Sequence, residues 1–448
     1  MTTRLTHTLE RLARGEVTSA ALVREAHERA IDRHGEGARV FTRLYTERAL
    51  REAEECDAKR RAGGPLPPLA GLPISIKDLF DVAGETTLAG STVLARHAPA
   101  ARDAEVVARL RRAGAVIVGK TNMTEFAFSG LGLNPHYGTP LNPWDRAARR
   151  IPGGSSSGAA VSVTDEMAAA AIGTDTGGSV RIPAALCGLT GFKPTAHRVP
   201  LDGAVPLSAS LDSIGPLAPS VACCAILDAV LAGEAPRPLE AIEARGLRLG
   251  LPQRYVLEGM DATVASTFAR AVRRLADAGV QITEIEFAEL DELPSINAKG
   301  GFAAAEAWAW HRDLIERAGD QYDPRVAVRI RRGALITESE VAALRLLRAD
   351  FQKRALAVAA PFDALALPTV PIVAPRLTPL EADDAEFARV NILALRNPSV
   401  GNFLDWCGLS LPCHPLDEAP VGLMLLAPGG ADRRLLAIGA CLERVLET

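Results

Sequence analysis

Short apolar runs alternate along this chain with longer stretches in which apolar residues recur at helical spacing. "LPISIKDLF" (72–80) is apolar at most positions and predicts a short buried strand. "DAEVVARLRRAGAVIVGKTN" (103–122) predicts a helix, a glycine turn and an apolar strand. The same kinds of element return later in "GLRLGLP" (246–252), "TVASTFARAVRRLADAG" (263–279) and "VQITEIEF" (280–287), as strand, helix and strand. These units predict an α/β fold.

The alternation runs along the whole chain, and no linker interrupts it. We therefore expect one large α/β domain over residues 1–448, built around a mixed sheet. Residues from about 290 to about 405 are less periodic and richer in tryptophan and in long helical stretches. We expect this region to form a cap over a site.

Composition and charge narrow the classes of function. The 448 residues are 48% hydrophobic and carry a net charge of −4 without a basic block, so neither nucleic acid nor an anionic membrane is expected as a partner. The N-terminus lacks the apolar core of a secretory signal, and no run of about 18 apolar residues predicts a membrane span. The seven cysteines show no CxxC spacing, which favours reduced thiols in a cytoplasmic protein. The eight histidines show no metal-ligand spacing either.

A glycine–serine run, "IPGGSSSGAAVSV" (151–163), raises several alternatives. It lacks the lysine of a phosphate-binding loop and the glycine spacing of a dinucleotide fold. "GSSSG" (154–158) does match the GxSxG pattern of a serine nucleophile elbow, and a solvated loop also fits the composition. A second glycine–serine turn follows 24 residues later, and a plain linker does not explain this pairing.

The second turn suggests chemistry that needs no histidine. It places Ser179 after two glycines, where neighbouring backbone N–H groups are unobstructed, as an oxyanion hole requires. Lys77 ends the apolar run "PISIK", and burial lowers the pKa of a lysine toward neutrality. A neutral lysine and a bridging serine together can activate a serine nucleophile.

At this point the sequence resembles the amidase signature hydrolases. The resemblance lies in "GLPISIKDLFDVAGETTLAGS" (71–91), "GKTNMTEFAFSGLGLNPHYGTPLNPWD" (119–145), "PGGSSSGAA" (152–160) and "GTDTGGSVRIPAALCGLTGFKPT" (173–195). It implies a three-layer α/β/α sandwich around a large mixed β-sheet. It also implies a catalytic core over about residues 65–220, with the region from about 290 to about 405 as a variable substrate cap.

The resemblance assigns a Ser–cis-Ser–Lys triad. By motif position, Ser179 is the nucleophile, Ser155 is the bridging residue after a cis peptide bond from Gly154, and Lys77 is the general base. The implied oxyanion hole consists of the backbone N–H groups around Thr176, Gly177, Gly178 and Ser179.

The neighbouring motif positions receive weaker roles. Asp175 and Arg181 are interpreted as anchors of the nucleophile turn, and Ser156 either supports the triad by hydrogen bonding or caps the following helix. The expected substrate-binding residues are Ala127, Phe128, Ser129 and Gly130.

The implied activity is hydrolysis of a carbonyl–nitrogen bond through an acyl-enzyme, with no metal or organic cofactor. The substrate is expected to be a small neutral amide, aryl amide or carbamate (urethane), and the protein a monomer or homodimer. The alternative is the glutaminase-type A subunit of a tRNA-dependent amidotransferase. Departures such as "GGSVRIPAALCG", where that subunit is expected to be closer to "GGSIRQPAAFCG", favour the free-standing hydrolase.

Overall fold

A computed structural model describes residues 5–447, and its centre is one eleven-stranded sheet. The strands are β1 (Phe41–Leu44), β2 (Pro73–Lys77), β3 (Val116–Thr121), β4 (Ala170–Asp175), β5 (Thr190–Lys193), β6 (Ser213–Ala218), β7 (Arg248–Pro252), β8 (Gln281–Ile285), β9 (Ala364–Pro368), β10 (Cys407–Pro412) and β11 (Gly422–Ala427). Their order is β1-β3-β2-β4-β6-β5-β10-β11-β9-β7-β8. The pairs β2–β3, β2–β4, β7–β8 and β7–β9 are parallel and the other pairs are antiparallel, so the expected mixed sheet is confirmed.

Sixteen α-helices surround this sheet within residues 5–447. They are α1 (Leu5–Ala13), α2 (Ser19–Ile31), α3 (Gly37–Val40), α4 (Thr46–Arg61), α5 (Glu105–Arg112), α6 (Ser157–Thr164), α7 (Arg181–Cys187), α8 (Val221–Ala232), α9 (Ala262–Asp277), α10 (Leu293–Ile296), α11 (Gly301–Ala318), α12 (Pro324–Arg331), α13 (Glu338–Ala359), α14 (Leu377–Ala382), α15 (Asp384–Phe403) and α16 (Asp432–Glu447). None of the described helices is both long enough and apolar enough to cross a membrane.

The three layers can be seen from β4, whose alternate side chains pack against different helices. Ala170 and Ile172 belong to the large apolar cluster that includes Leu227 of α8, whereas Ala171 packs with residues of α6 and α7. Successive residues of a strand point to opposite faces, so these helices cover the two sides of the sheet. This arrangement confirms the expected sandwich. Its division into a catalytic core and a substrate cap stays a prediction.

Burial of both faces explains the composition of the central strands. Every residue of β2, β3, β4 and β6 is buried, including Lys77 and Lys120. Lys120 of β3 forms an ion pair with Asp78 at 2.7 Å. Lys77, in the neighbouring strand β2, forms no ion pair with a described residue. The two buried lysines therefore differ, because only Lys120 has a carboxylate in direct contact.

β5 and β6 approach so closely at Gly215 that an added side chain should destabilise the protein. A Cβ atom on Gly215 of β6 would lie 2.0 Å from the carbonyl oxygen of Phe192 in β5, and a backbone atom cannot move aside as a side chain can. We expect Gly215→Ala to lower the free energy of unfolding by about 3 kcal/mol or more, at the upper end of overpacking costs. Urea denaturation followed by circular dichroism measures this loss. The matched control is Gly64→Ala, which meets no atom within 4 Å and should change stability by less than about 0.5 kcal/mol; similar losses in both variants would contradict this account of the sheet.

Candidate active site

Lys77 lies at the end of β2 with its side chain fully buried (0% exposed). Its Nζ donates hydrogen bonds to Ser155 Oγ at 2.7 Å and to Thr174 Oγ1 at 2.8 Å. Burial is the largest influence on this amine and lowers its pKa to about 7, although Asp212 and Asp175 act in the opposite direction. Lys77 can therefore exist as a neutral amine, able to take up a proton, near neutral pH.

Ser155 lies just before α6, where the backbone fixes its position. The Gly154–Ser155 peptide bond is cis, as the family resemblance implies. Gly154 N donates to Gly130 O at 2.8 Å, and the carbonyl oxygen of Ser155 accepts from Thr124 N at 3.1 Å. The glycine–serine run is therefore a buried turn leading into a helix, and not a solvated loop.

Ser179 lies 2% exposed in the turn between β4 and α7. Its carbonyl oxygen accepts a hydrogen bond from Ser156 N at 3.3 Å, which brings the two glycine–serine turns together. Ser156 Oγ donates to Thr174 O at 3.4 Å and makes no side-chain cap bond at the start of α6, so it supports the turns and does not cap the helix. Within residues 5–447, the hydroxyl groups of Ser155 and Ser179 make no hydrogen bond with each other.

Asp175 and Arg181 hold the Ser179 turn in shape. The Asp175 carboxylate accepts from Gly178 N (2.7 Å), Val180 N (3.2 Å) and Arg181 N (3.3 Å), and Arg181 contributes two further bonds, from Nε at 3.0 Å and from Nη2 at 2.9 Å. Asn402 of α15 completes the group, accepting from Arg181 Nη2 at 2.6 Å and donating to Asp175 Oδ1 at 3.0 Å. Burial raises the pKa of Asp175, but Arg181 and these bonds outweigh burial and hold the pKa well below its usual range.

The same bonds change the expected oxyanion hole. The N–H of Gly178 donates to Asp175 and is therefore not available to a substrate. Within the described chain, the N–H groups of Thr176, Gly177 and Ser179 make no hydrogen bond. These three are the donors that an oxyanion could use.

Asp212, which the sequence analysis did not single out, lies beside Thr176. Its carboxylate accepts from Thr176 Oγ1 at 2.5 Å and from the N–H groups of Leu207 and Ser208, each at 3.0 Å. Burial raises the pKa of Asp212 to about 6, while these hydrogen bonds and the nearby Lys77 oppose the rise.

Gly130, the last residue of the expected substrate-binding segment 127–130, lies beside the Ser155 turn. Gly130 O accepts from Gly154 N, and Asn391 Oδ1 of α15 accepts from Ser129 Oγ and Gly130 N, both at 2.9 Å. Ala127 (φ +59°) and Phe128 stand at the start of the segment. Leu395 of α15 approaches both Gly130 and Gly177, since a Cβ atom on these glycines would lie 3.1 Å and 3.5 Å from Leu395 Cδ2.

Arg329 of α12 packs against this segment. Its Nη1 donates to Phe128 O at 2.7 Å, and its guanidinium lies 4.6 Å from the centre of the Phe128 ring. Burial, together with the nearby Arg332, lowers the pKa of Arg329 to about 10. Arg329 forms no ion pair within residues 5–447, so a partly buried positive charge stands beside Phe128 without a carboxylate partner.

Four contributors were missed by reasoning from the sequence. Thr174 lies in a stretch that carried the family resemblance and Asp212 lies beyond the last of these stretches, but nothing in the sequence indicated which atoms either residue would contact. Asn391 and Asn402 lie in α15, more than 220 positions from their partners, and they had no local signal. Among residues 5–447, no three His, Cys, Asp or Glu side chains are grouped as metal ligands would be, and the absence of a metal requirement stays a prediction.

Comparison with known proteins identifies the family. The model of the Amidase family matches residues 21–436, nearly the whole chain. The chain belongs to the amidase signature family. A solved amidase superposes with a TM-score of 0.88 at 32% identity, covering 99% of each chain, which confirms the fold. As an amidase signature protein, this chain is a hydrolase that acts on carbon–nitrogen bonds.

Two curated relatives illustrate the breadth of the amidase signature family around this chain. The 2-amino-5-chloromuconic acid deaminase of Comamonas testosteroni is 37% identical over an alignment that covers 97% of this chain and 94% of that protein. The A subunit of the glutamyl-tRNA(Gln) amidotransferase of Roseiflexus sp. (strain RS-1) is 35% identical, covering 98% of this chain and 95% of that protein.

The Asp175–Arg181 pair can be tested by stability. We expect Arg181→Leu to lower the free energy of unfolding by about 3–5 kcal/mol, because it leaves a buried carboxylate without its cation. Arg354→Leu is the matched control: it breaks an exposed pair with Glu292 and should cost less than about 1 kcal/mol. Urea denaturation measures both changes. Equal losses would mean that the buried pair does not anchor the turn.

Proposed function

We propose that this chain hydrolyses the carbonyl–nitrogen bond of a small amide or carbamate through an acyl-enzyme on Ser179, with Ser155 and Lys77 as the proton relay. The observation that carries the proposal is the 2.7 Å hydrogen bond between Lys77 Nζ and Ser155 Oγ, made by a buried lysine whose pKa is lowered to about 7. A lysine in this state is a base of the strength that general-base catalysis needs at neutral pH.

In the first half of the reaction, Ser179 Oγ attacks the carbonyl carbon. Its proton passes to Ser155 Oγ, and the Ser155 proton passes to the neutral Lys77. The oxygen of the tetrahedral intermediate takes the negative charge beside the N–H groups of Thr176, Gly177 and Ser179. The proton then returns along the same route to the departing nitrogen, and the amine leaves an ester on Ser179.

In the second half, water attacks the acyl group and gives its proton to the same relay. The carbon–Ser179 bond breaks, Ser179 regains a proton, and the acid is released. A carbamate would yield an amine, an alcohol and CO₂. The transfer from Ser179 to Ser155 needs the two hydroxyl groups to turn toward each other, and catalytic hydrogen bonds commonly tighten only when the substrate is bound.

The walls of the site support an apolar or aryl acyl group. Leu395 approaches Gly177 of the nucleophile turn, and Ile182 lies against Gly130 and Gly178. An apolar surface of this kind favours an acyl group that it can remove from water.

Arg329 favours a second candidate function: hydrolysis of a substrate that also carries a carboxylate. Its guanidinium has no anionic partner among the described residues and lies against Phe128, and Arg is well suited to hold a carboxylate through paired N–H donors. The relative from Comamonas testosteroni is named for a muconic acid derivative, which is a dicarboxylic acid. The amidotransferase alternative also remains a proposal, supported by the similarity to the A subunit from Roseiflexus.

Removing the relay should abolish activity. We expect Ser179→Ala, Ser155→Ala and Lys77→Ala each to lower kcat/KM by about 10⁴-fold or more, as for triads whose members act as a unit. In the unmodified protein, kcat/KM should rise with pH through a midpoint of about 7, because Lys77 must lose its proton to act as the base. Release of amine or ammonia from an aryl anilide, an aryl carbamate, a short aliphatic amide and glutamine is the measurement.

Ser157→Ala is the matched control, since Ser157 belongs to the same run but its Oγ reaches only Asn122 O at 3.5 Å. Full activity in Ser179→Ala would overturn the triad. Activity on glutamine alone, and only with an added partner chain, would favour the amidotransferase alternative.

The Arg329 alternative has its own test. We expect Arg329→Gln to lower kcat/KM for glutaryl 4-nitroanilide by about 10- to 100-fold, since a hydrogen bond to a charged group contributes about 1.5–3 kcal/mol. Hydrolysis of 4-nitroacetanilide, which has the same leaving group and no carboxylate, should change by less than about threefold, under 1 kcal/mol. Arg332→Gln is the control, because Arg332 is exposed. Equal loss on both anilides would assign Arg329 to shaping the Phe128 segment.

A further inference from the structure

Strand register brings Asp212 close to the proposed relay. β4 and β6 pair antiparallel with Asp175 opposite Ser213, so Thr176 follows β4 at the point where Asp212 precedes β6. Cross-strand neighbours lie within about 5.5 Å of each other, and here the 2.5 Å bond from Thr176 Oγ1 joins them.

Lys77 reaches the same side of β4. β2 pairs with β4 with Ile76 opposite Ile172, and the Lys77 amine extends to Thr174 Oγ1. Thr176 follows the end of β4, two residues after Thr174. One threonine hydroxyl therefore contacts the Lys77 amine, and a second, two residues further along the chain, contacts the Asp212 carboxylate.

We propose that Asp212 is a positioning residue of this hydrolase, whose carboxylate is the counter-charge of the protonated Lys77 and holds Thr176 in the nucleophile turn. The inference rests on the proposed function. It gives a physical role to a buried acid that would otherwise be held by one hydroxyl and two backbone N–H groups without a cation in direct contact.

Other buried charges near Lys77 and Asp212 are already neutralised by direct ion pairs. Asp175 is paired with Arg181, and Lys120 with Asp78. Among the carboxylates of Asp78, Asp175 and Asp212, only that of Asp212 lacks a guanidinium or ammonium in contact among the described residues. Its charge is therefore free to act on Lys77.

Three other charged side chains lie around Asp212 and the loop that precedes it. Lys193 of β5 donates to Pro194 O and to Ser213 Oγ, next to Asp212. On the outer side, Glu306 of α11 accepts from the hydroxyl groups of Ser208 and Ser210, and Arg348 of α13 donates to Ser210 O. None of these three charged side chains contacts the Lys77 amine within residues 5–447.

The charge of Asp212 determines in which direction it shifts the pKa of Lys77. A negative charge near Lys77 favours the protonated amine, so removing that charge should make Lys77 lose its proton at lower pH. Asp212→Asn can preserve the contacts, because the amide oxygen can accept from Leu207 N and Ser208 N while the amide nitrogen donates to Thr176 Oγ1. The acid side of the pH–rate profile should therefore move down by about one pH unit, the lower end of the effect of a nearby opposite charge.

The test uses a fluorophosphonate probe, so it does not depend on knowing the substrate. Ser179 Oγ displaces fluoride from phosphorus and loses its proton to the relay, and mass spectrometry identifies the labelled residue. The rate of labelling is measured on both sides of the pKa of about 7 for Lys77. We expect a midpoint near 7 in the unmodified protein and a midpoint about one unit lower in Asp212→Asn.

Glu306→Gln is the matched control. It makes the same acid-to-amide change in a residue that binds Ser208 and Ser210, in the loop before Asp212, and that does not contact Lys77. Its midpoint should stay in place. If Asp212→Asn does not fold, Thr176→Val and Thr176→Ser decide the question. Valine removes the bond that keeps Asp212 charged and should lower the midpoint, whereas serine keeps that bond and should not.

An unchanged midpoint in both Asp212→Asn and Thr176→Val would overturn the inference while leaving the proposed function intact. So would an equal shift in Glu306→Gln, which would mean that the loop and not the charge sets the midpoint. Failure of the probe to label Ser179, or equal labelling in Lys77→Ala, would instead overturn the proposed function, and the inference with it.

Discussion

The buried amine of Lys77 is the constraint on which the rest of the site depends. A charged ammonium without a direct counter-ion is costly inside a protein, and this lysine has only the hydroxyl groups of Ser155 and Thr174 as hydrogen-bond partners within residues 5–447. Hydroxyl groups suit both states of the amine, because a hydroxyl can accept from the ammonium and can donate to the neutral nitrogen. A carboxylate in direct contact would instead hold the proton on Lys77 and remove the base.

The sheet makes this arrangement possible by bringing three strands to one place. β2 supplies Lys77, β4 leads into the Ser179 turn, and β6 begins beside Asp212; the three are neighbours in the sheet. Two of the strands are parallel and one is antiparallel, so the ends of β2 and β4 meet the beginning of β6. The turn after β4 is then fixed by Asp175 and Arg181. A rigid turn holds its N–H groups in place before any substrate arrives, which is what electrostatic stabilisation of an oxyanion requires.

Much of the fold and part of the site could be predicted from the sequence because their signals are local. β2 and β4 are short apolar runs next to glycine turns. The second glycine–serine turn drew attention to Ser179, and the family resemblance assigned Ser155. Side-chain bonding was less predictable. Gly178 was expected to offer its N–H to a substrate, but Asp175 binds that group from three positions back along the chain, a detail of turn geometry. Asn402 and Asn391 were out of reach, since an asparagine in a long helix has no pattern that points to partners more than 220 residues away.

The two asparagines of α15 also bear on the order of events during synthesis. Lys77, Ser155 and Ser179 are all encoded in the first two-fifths of the chain, but the ties from α15 to the Ser179 turn and to the Ser129–Gly130 segment come from residues 391 and 402. A chain emerging from the ribosome therefore carries every member of the proposed triad long before it can lock them in place. The site can therefore be completed only after the C-terminal part has been synthesised. A chain truncated before α15 would contain the three proposed triad residues without the asparagine hydrogen bonds that hold the surrounding segments.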